Sequence, residues 1–419
     1  MRPPPRWATW SISSGWNGFK VVERGEIRRG DPGEVFVAFL KLGLTAFGGP
    51  VAHLGYFREA FVRRRQWLDE TAFADLVALC QFLPGPASSQ VGFALGLRRA
   101  GLWGALAAWI GFTLPSAVLM TALAFGARFM SGVWAQAVIH GLKLVAVVVV
   151  AQAVWSMART LTPDLRRILI AIVAYLLVTQ VAGAGGQLGA IAAGALAGLI
   201  VCRKAPEAPA VMPPAGPSRR FGLVALAVFF LLLTGLPIAV AMTGDPPMTR
   251  FEAFYRSGAL VFGGGHVVLP LLKRAVVDPG WIGADTFLAG YGAAQAMPGP
   301  LFTFAAFLGG AMNGLPGAAL GLIGIFLPGM LALMAALPFW ADLQKSARAR
   351  AGMRGANAAV VGVLAAALYS PVWTSAVFGA VDLVLVIGGI LLLAGTKTPP
   401  IVVVLLGVAS GPLRLYLGV

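Results

Sequence analysis

The chain has 419 residues, of which 58% are hydrophobic and 11% are charged, and its mean hydropathy is +0.82. Soluble domains carry about 25% charged residues, so the composition excludes an ordinary soluble protein and predicts a chain surrounded by lipid. The formal net charge of +16 does not indicate nucleic acid, because Lys and Arg lie in segments between apolar runs, where they orient a membrane protein.

Residues 1–33 are polar and basic and have no apolar core of the kind that signal peptides contain. They predict a cytoplasmic N-terminal tail. The two cysteines, Cys80 and Cys202, give neither a disulfide framework nor a zinc-site spacing. We therefore expect no metal site and no cofactor.

Apolar runs of about 20 residues, the length that crosses a bilayer core, follow along the chain in two sets of six. The first set lies near 34–54, 72–96, 101–125, 132–157, 165–182 and 184–202. The second set lies near 251–271, 284–310, 315–340, 355–373, 375–394 and 398–416. We predict a first repeat at 34–202, a linker with one unpaired span (221–243) at 203–250, and a second repeat at 251–419.

One span between two sets of six reverses the orientation of the second set. The sequence therefore predicts an all-α polytopic membrane protein of about 12–13 membrane segments, built as an inverted two-fold repeat with broken helices. Basic residues favour an inward N-terminus, but Arg58 and Arg63–Arg65 would then lie outside. The alternative is a re-entrant first segment that returns these arginines to the cytoplasm.

Both repeats carry the same helix-breaking residues, and Pro84 and Pro298 lie 214 residues apart. Breaks in membrane helices are costly, because the freed backbone groups find no water. Matching breaks in two halves are a sequence pointer to a transporter's binding site. The matched sets are Gly48-Gly49-Pro50, Gln81 and Pro84-Gly85-Pro86 in the first repeat, and Gly263-Gly264-Gly265, Gln295 and Pro298-Gly299-Pro300 in the second.

A helix that restarts after a break presents free N–H groups and a positive dipole end, which together bind anions. Pro86 and Pro300 suit the first turn of a restarting helix, and Gly85 and Gly299 permit close ligand approach. Ser88 follows as a polar neighbour. Kinks that only allow tight packing are the alternative, but the recurrence of the breaks in both repeats favours a site.

Ionisable residues within membrane segments are few and point to function. Lys41 precedes the first break and either faces substrate or extends to the interface. His53 and His266 follow the two Gly-rich breaks and either bind an oxyanion or bond to backbone carbonyls. Asp75 is the candidate for proton coupling, with an ion pair to Arg63–Arg65 as the alternative.

The run from Phe39 through Phe47-Gly48-Gly49-Pro50 and His53 to Leu83-Pro84-Gly85-Pro86 resembles the chromate ion transporter family. The segments Val261–His266 and Met297–Pro300 resemble the same domain repeated, although Gly265 stands where the first repeat has Pro50. The resemblance implies a bacterial or archaeal inner-membrane protein with two homologous halves. It further implies chromate export driven by the proton gradient or the membrane potential.

The leading hypothesis is a secondary transporter of chromate, with sulfate or another oxyanion as the alternative. An intramembrane enzyme or a membrane scaffold explains the repeated breaks less well. The expected partners are the oxyanion and the lipid bilayer, without nucleic acid, and a homodimer is left open. The predicted substrate-binding residues are Lys41, Gly48, Gly49, Pro50, His53, Gln81, Pro84, Gly85, Pro86, Ser88, Gly263, Gly264, Gly265, His266, Gln295, Pro298, Gly299 and Pro300.

Overall fold

A computed structural model describes residues 30–127, 132–181, 184–202, 217–262, 265–340, 342, 346–396, 398 and 400–417. Within these ranges the chain is helical and contains no strand, which confirms the predicted all-α class. The α-helices are α1 Pro32–Thr45, α2 Gly49–Phe57, α3 Glu70–Phe82, α4 Ala87–Ala127, α5 Val133–Leu161, α6 Leu165–Gln180, α7 Ala184–Val201, α8 Arg219–Thr243, α9 Pro246–Ala259, α10 Val268–Leu272, α11 Ala284–Ala294, α12 Phe304–Ala336, α13 Ala347–Ala367, α14 Ala380–Gly395 and α15 Pro400–Leu417.

The helices of the first half recur in the same order in the second half. The pairs α1/α9, α3/α11 and α5/α13 each begin 214 residues apart, and α8 lies between the halves without a counterpart. The local signals also recur. Asp31 and Asp245 are the N-caps of α1 and α9, each side chain accepts a backbone N–H bond, and a proline follows in the first turn.

The long helices α4 and α12 are each folded back on themselves. Ala100 and Gly101 have non-helical dihedrals, and Asn313 and Gly314 repeat them closely. A Cβ on Gly96 would collide with the Gly104 carbonyl oxygen, whereas eight residues of straight helix span about 12 Å. We therefore divide α4 into α4a (87–99) and α4b (102–127), and α12 into α12a (304–312) and α12b (315–336).

Both broken segments of the first half enter and return on one side. Gly30 N–H donates to Arg99 O at 2.9 Å, which places the start of α1 beside the end of α4a. The Arg99 guanidinium lies 5.3 Å from the Trp67 ring, so the segment after α2 returns to the same place. The pairs α1–α2 and α3–α4a are therefore re-entrant hairpins, with tips at residues 46–48 and 83–86.

The second half repeats this arrangement from the opposite side. A Cβ on Gly310, near the end of α12a, would lie 3.2 Å from Ala124 Cβ, near the end of α4b. Since α4b leads away from the first-half hairpins, the hairpins α9–α10 and α11–α12a enter from the other side. The tips of all four hairpins thus lie in the interior, between the two sides.

The equivalent helices α5 and α13 run in opposite directions. The start of α13 lies beside the end of α7, where Arg354 Nη1 donates to Cys202 O at 3.1 Å. The start of α6, which follows α5 after three residues, lies at the same end, since Arg166 Nη1 donates to Val201 O at 3.2 Å. α5 therefore ends where α13 begins. The axis that relates the halves lies across the helices, as an inverted-topology repeat requires.

The predicted membrane segments divide into two kinds. In the described chain, nine helices (α4b, α5–α8, α12b and α13–α15) run from side to side, and four segments are hairpins that return. Five helical stretches are long and apolar enough to cross a bilayer by length and composition: Ala87–Gly126, Val133–Leu161, Arg219–Thr243, Leu301–Phe339 and Ala347–Trp373. The first and the fourth of them each contain one leg of a hairpin.

The re-entrant geometry corrects the reading that placed Arg58 and Arg63–Arg65 outside. These residues follow α2 back to the side that carries Gly30, where the other basic segments gather. We call this side cytoplasmic, because basic residues accumulate on the cytoplasmic side of membrane proteins. Arg58 and Arg63–Arg65 therefore follow the distribution of the other basic residues. The structure agrees with the alternative in which the first broken segment is re-entrant.

Candidate functional site

The hairpin tips of the two halves are joined by reciprocal backbone hydrogen bonds. Gly85 N–H, in the first Pro-Gly-Pro, donates to Val261 O at the end of α9, at 2.7 Å. Gly299 N–H, in the second, donates to Ala46 O at the end of α1, at 2.9 Å. Each bond satisfies a helix-terminal carbonyl group that has no acceptor role inside its own helix. The matched breaks therefore connect the two halves.

Both of these glycines are required by the close approach of backbones. Gly85 has φ +115°, and a Cβ there would lie 2.8 Å from Gly329 Cα. Gly299 has φ +89°, and its Cβ would lie 3.0 Å from Phe112 O and Ser116 Oγ. The close approach that the structure shows at these positions is between the two halves of the protein, and the approach of a ligand to them stays a prediction. Both N–H groups donate to backbone carbonyl groups in this conformation, so a substrate that binds it would use other donors.

Other donors lie in a polar cluster in the first half, which consists of His53, Ser88, Ser89, Gln90 and Thr113. All five side chains belong to buried residues, on α2, at the start of α4a and on α4b. His53 Nδ1 lies 3.4 Å from Ser88 Oγ. Gln90 Nε2 donates to Pro84 O at 2.9 Å and to Gly329 O at 2.8 Å. The glutamine thereby fixes the first Pro-Gly-Pro against α12b.

Four atoms of the polar cluster have no hydrogen-bond partner among the described residues. They are His53 Nε2, Ser89 Oγ, Gln90 Oε1 and Thr113 Oγ1. Unpaired buried polar atoms are rare and each calls for an explanation, such as a water or a ligand. The first N–H groups of α4a, at residues 87–89, have no intrahelical acceptor and carry the positive end of the helix dipole. Of the four side-chain atoms, those of His53, Ser89 and Thr113 can donate to a ligand, whereas Gln90 Oε1 can only accept. The three donors and the N–H groups of α4a are suited to an anion.

The equivalent region of the second half is largely apolar. Ser88 and Gln90 correspond to Phe302 and Phe304 at an offset of 214, and Phe302 lies 5.8 Å from Phe326 between ring centroids. Thr303 replaces Ser89, but its hydroxyl donates to Pro300 O at 2.8 Å. At these equivalent positions the two halves are alike in backbone and differ in polarity.

The two predicted polar site residues of the second half, His266 and Gln295, differ in their partners. His266 Nδ1 lies 2.7 Å from Tyr291 Oη. Gln295 Nε2 is buried and has no partner among the described residues. Gly265 begins a short 3₁₀ helix, whereas Gly263 and Gly264 lie outside the described residues.

Several predicted site residues are less buried than the polar cluster. Lys41, Gly48 and Gln81 are exposed, and Pro50 is half-buried. Gly49 is half-buried, and a Cβ there would meet nothing within 4 Å. Six other predicted residues lie in the joined hairpin tips: Pro84, Gly85, Pro86, Pro298, Gly299 and Pro300.

Asp75 lies on α3 and is 8% exposed. Its Oδ2 atom has no hydrogen-bond partner in the part of the chain that the structure describes. The alternative that it pairs with the neighbouring arginines is wrong for two of them, because Arg63 and Arg64 pair with Glu59. A buried carboxyl group with an unpartnered oxygen is a candidate proton carrier.

Sequence reasoning missed Thr113 as a site residue. The signal was present, because a hydroxyl side chain two residues before Pro115 interrupts an otherwise apolar run. No group of His, Cys, Asp and Glu that could hold a metal ion occurs among the described residues.

The chain matches the family described as Chromate transporter over residues 33–199 and again over 248–412. It is 29% identical over 341 residues to the probable chromate transport protein of Synechococcus elongatus, covering 79% of this chain and 82% of that relative. It is 29% identical over 340 residues to the chromate transport protein of Pseudomonas aeruginosa, covering 80% and 79%. An uncharacterized transporter of Methanocaldococcus jannaschii is 26% identical over 314 residues, covering 74% and 77%.

No solved structure matches the chain. The family match falls on both halves and leaves out the tail and the region around α8. On this evidence the chain belongs to the chromate transporter family.

Proposed function

We propose that this protein is a secondary active transporter that exports chromate across the plasma membrane and binds it at the polar cluster of the first half. The family and the names of the relatives support oxyanion transport. The observation that carries the proposal is the set of buried, unpartnered polar atoms beside the start of α4a.

Chromate recognition requires donors that face a dianion in a region of low polarity. An isolated buried charge costs tens of kcal/mol in the Born limit, so many donors must share it. Hydrogen bonds to a charged group contribute roughly 1.5–3 kcal/mol each. Such donors would come from the hydroxyls of Ser88, Ser89 and Thr113, the ring of His53 and the first N–H groups of α4a.

Alternating access would use the two equivalent joints between the halves. The Gly85–Val261 and Gly299–Ala46 hydrogen bonds are related by the repeat, and each joins a hairpin tip of one half to a hairpin tip of the other half. In a second conformation, each half would adopt the conformation that the other half has now, and the site would open to the other side of the membrane. The halves would then rock about α4b and α12b, which cross between them.

Energy coupling by protons would depend on Asp75. Its burial on α3 and its free Oδ2 atom suit a group that gains and loses a proton during the cycle. Sulfate is the alternative substrate, because hydroxyl and N–H donors recognise a tetrahedral dianion by shape and charge. A homodimer and the role of the membrane potential stay predictions.

The test is uptake of radiolabelled chromate into proteoliposomes with an imposed pH gradient, with inside-out and right-side-out protein distinguished by a labelled cysteine. We expect uptake against the chromate gradient that collapses when the pH gradient is removed. Competition by excess sulfate measures selectivity. Chromate flux that ignores both the pH gradient and the membrane potential would contradict secondary active transport.

A further inference from the structure

A basic cleft opens on the cytoplasmic side between α6, α7 and α13. We define it by Arg166, Arg167 and Arg354, with Asp164 and the last carbonyls of α7 on its walls. It lies at the end of α7, and α4b, α12b and the hairpin tips contribute no residue to its lining. The proposed substrate site is therefore a different part of the molecule.

The basic cleft holds more positive charge than the described residues of the protein neutralise. Asp164 pairs with Arg167 at 2.6 Å, and the hydrogen bonds from Arg167 hold the pKa of Asp164 below its usual range. Arg166 and Arg354 have no carboxylate partner among the described residues. Each donates one hydrogen bond, to Val201 O and Cys202 O, although a guanidinium has five N–H donors.

An apolar groove continues from the basic cleft along the outer face of α6 and α7. Arg166 and Val201 line both the cleft and the groove. The groove then passes between Leu169, Val173 and Ala193. Leu169 and Val173 are 52% exposed on a membrane helix, so this face meets lipid chains.

We propose that the basic cleft and the groove together bind one anionic phospholipid, with its phosphate between Arg166 and Arg354 and an acyl chain along α6 and α7. An anionic phospholipid fits the charge of the cleft, its position on the cytoplasmic side and the continuity of the groove. A soluble anion fits the charge but leaves the groove unexplained. Basic pockets between membrane helices on this side bind such head groups.

Capping of α7 is the simpler role for these arginines, since cations interact well with the last carbonyls of a helix. Capping uses one donor of each side chain and explains neither the remaining guanidinium donors nor the groove that begins at Arg166. The bound lipid would join α6 and α7 of the first half to α13 of the second half at their cytoplasmic ends.

The test measures the thermal unfolding midpoint of the purified full-length protein in mixed micelles. Phosphatidylglycerol, phosphatidylcholine or inorganic phosphate is added at equal concentration. For the unmodified protein, phosphatidylglycerol should raise Tm by at least about 2 °C, and phosphatidylcholine and phosphate should not. Equal stabilisation by phosphate would assign the cleft to a free anion, and equal stabilisation by phosphatidylcholine would assign the groove to any lipid; either result would overturn the proposal.

Three variants separate the proposal from capping. Arg354→Gln should lose the phosphatidylglycerol effect, and so should Ala193→Trp, which fills the exposed groove without touching the end of α7. Arg348→Gln removes an exposed charge from the same cytoplasmic segment and should keep the effect. If Ala193→Trp responds to phosphatidylglycerol as the unmodified protein does, no lipid chain lies in the groove and the proposal fails.

Discussion

The joint between the halves predicts a large difference between two glycine-to-alanine variants. Gly85→Ala places a Cβ 2.8 Å from Gly329 Cα at φ +115°, whereas Gly49→Ala places a Cβ in open space at φ +76°. Both variants pay about 1–3 kcal/mol for a positive φ. Gly85→Ala adds roughly 1–3 kcal/mol for overpacking against a backbone that cannot rotate away.

The assay is denaturant unfolding of both purified variants in the same mixed micelles, with the free energy of unfolding compared to that of the unmodified protein. Gly85→Ala should be the less stable by about 1–3 kcal/mol, and Gly299→Ala should resemble it, since Phe112 O and Ser116 Oγ lie 3.0 Å from its Cβ. Equal stability of Gly85→Ala and Gly49→Ala would refute the close approach of the halves. Lost transport in a Gly85 variant therefore cannot by itself identify a substrate contact.

Three further predictions follow from the site and the topology. Ser89→Ala removes a free buried hydroxyl and should weaken chromate binding about tenfold, because one hydrogen bond to a charged group contributes roughly 1.5 kcal/mol. Thr303→Val removes a hydroxyl that is already bonded within the protein and should bind chromate nearly as before. Equal losses of affinity in a binding titration would contradict the difference between the halves. In otherwise cysteine-free protein, Arg58→Cys should react with an impermeant maleimide from the cytoplasmic side and Lys273→Cys from the other, and reaction from one common side would disprove the inverted hairpins. Asp75→Asn should keep chromate binding but lose the dependence of flux on the pH gradient, and a gradient response like that of the unmodified protein would exclude Asp75 as the proton carrier.

The repeat was readable from the sequence because its signals are local. Pro-Gly-Pro at 84–86 and 298–300 breaks helices wherever it occurs in a membrane segment, and the same spacing in two halves needs no tertiary information. The difference in polarity between the halves was also readable, because Ser88 and Gln90 correspond to Phe302 and Phe304 when the two repeats are aligned.

The re-entrant path was not readable from hydropathy, because a broken segment that returns and one that crosses have the same composition. The reversal at Ala100–Gly101 falls between the predicted apolar runs 72–96 and 101–125, where Arg98 and Arg99 interrupt the apolar sequence. That boundary was readable, but whether the chain returns or crosses before it was not. Arg58 and Arg63–Arg65 were the one sequence sign of it. Which break meets which is set by packing between the halves, so the Gly85–Val261 and Gly299–Ala46 bonds appear only in the structure.

The central claim is that the oxyanion binds in the first half, between α2 and the start of α4a. Chromium scatters X-rays anomalously, so crystals grown with chromate locate the ion without reference to the protein density. We predict one strong chromium peak, placed so that the chromate oxygens lie within hydrogen-bond distance of Ser89 Oγ or His53 Nε2. A peak beside His266 and Tyr291 in the second half, with none in the first, would contradict the account.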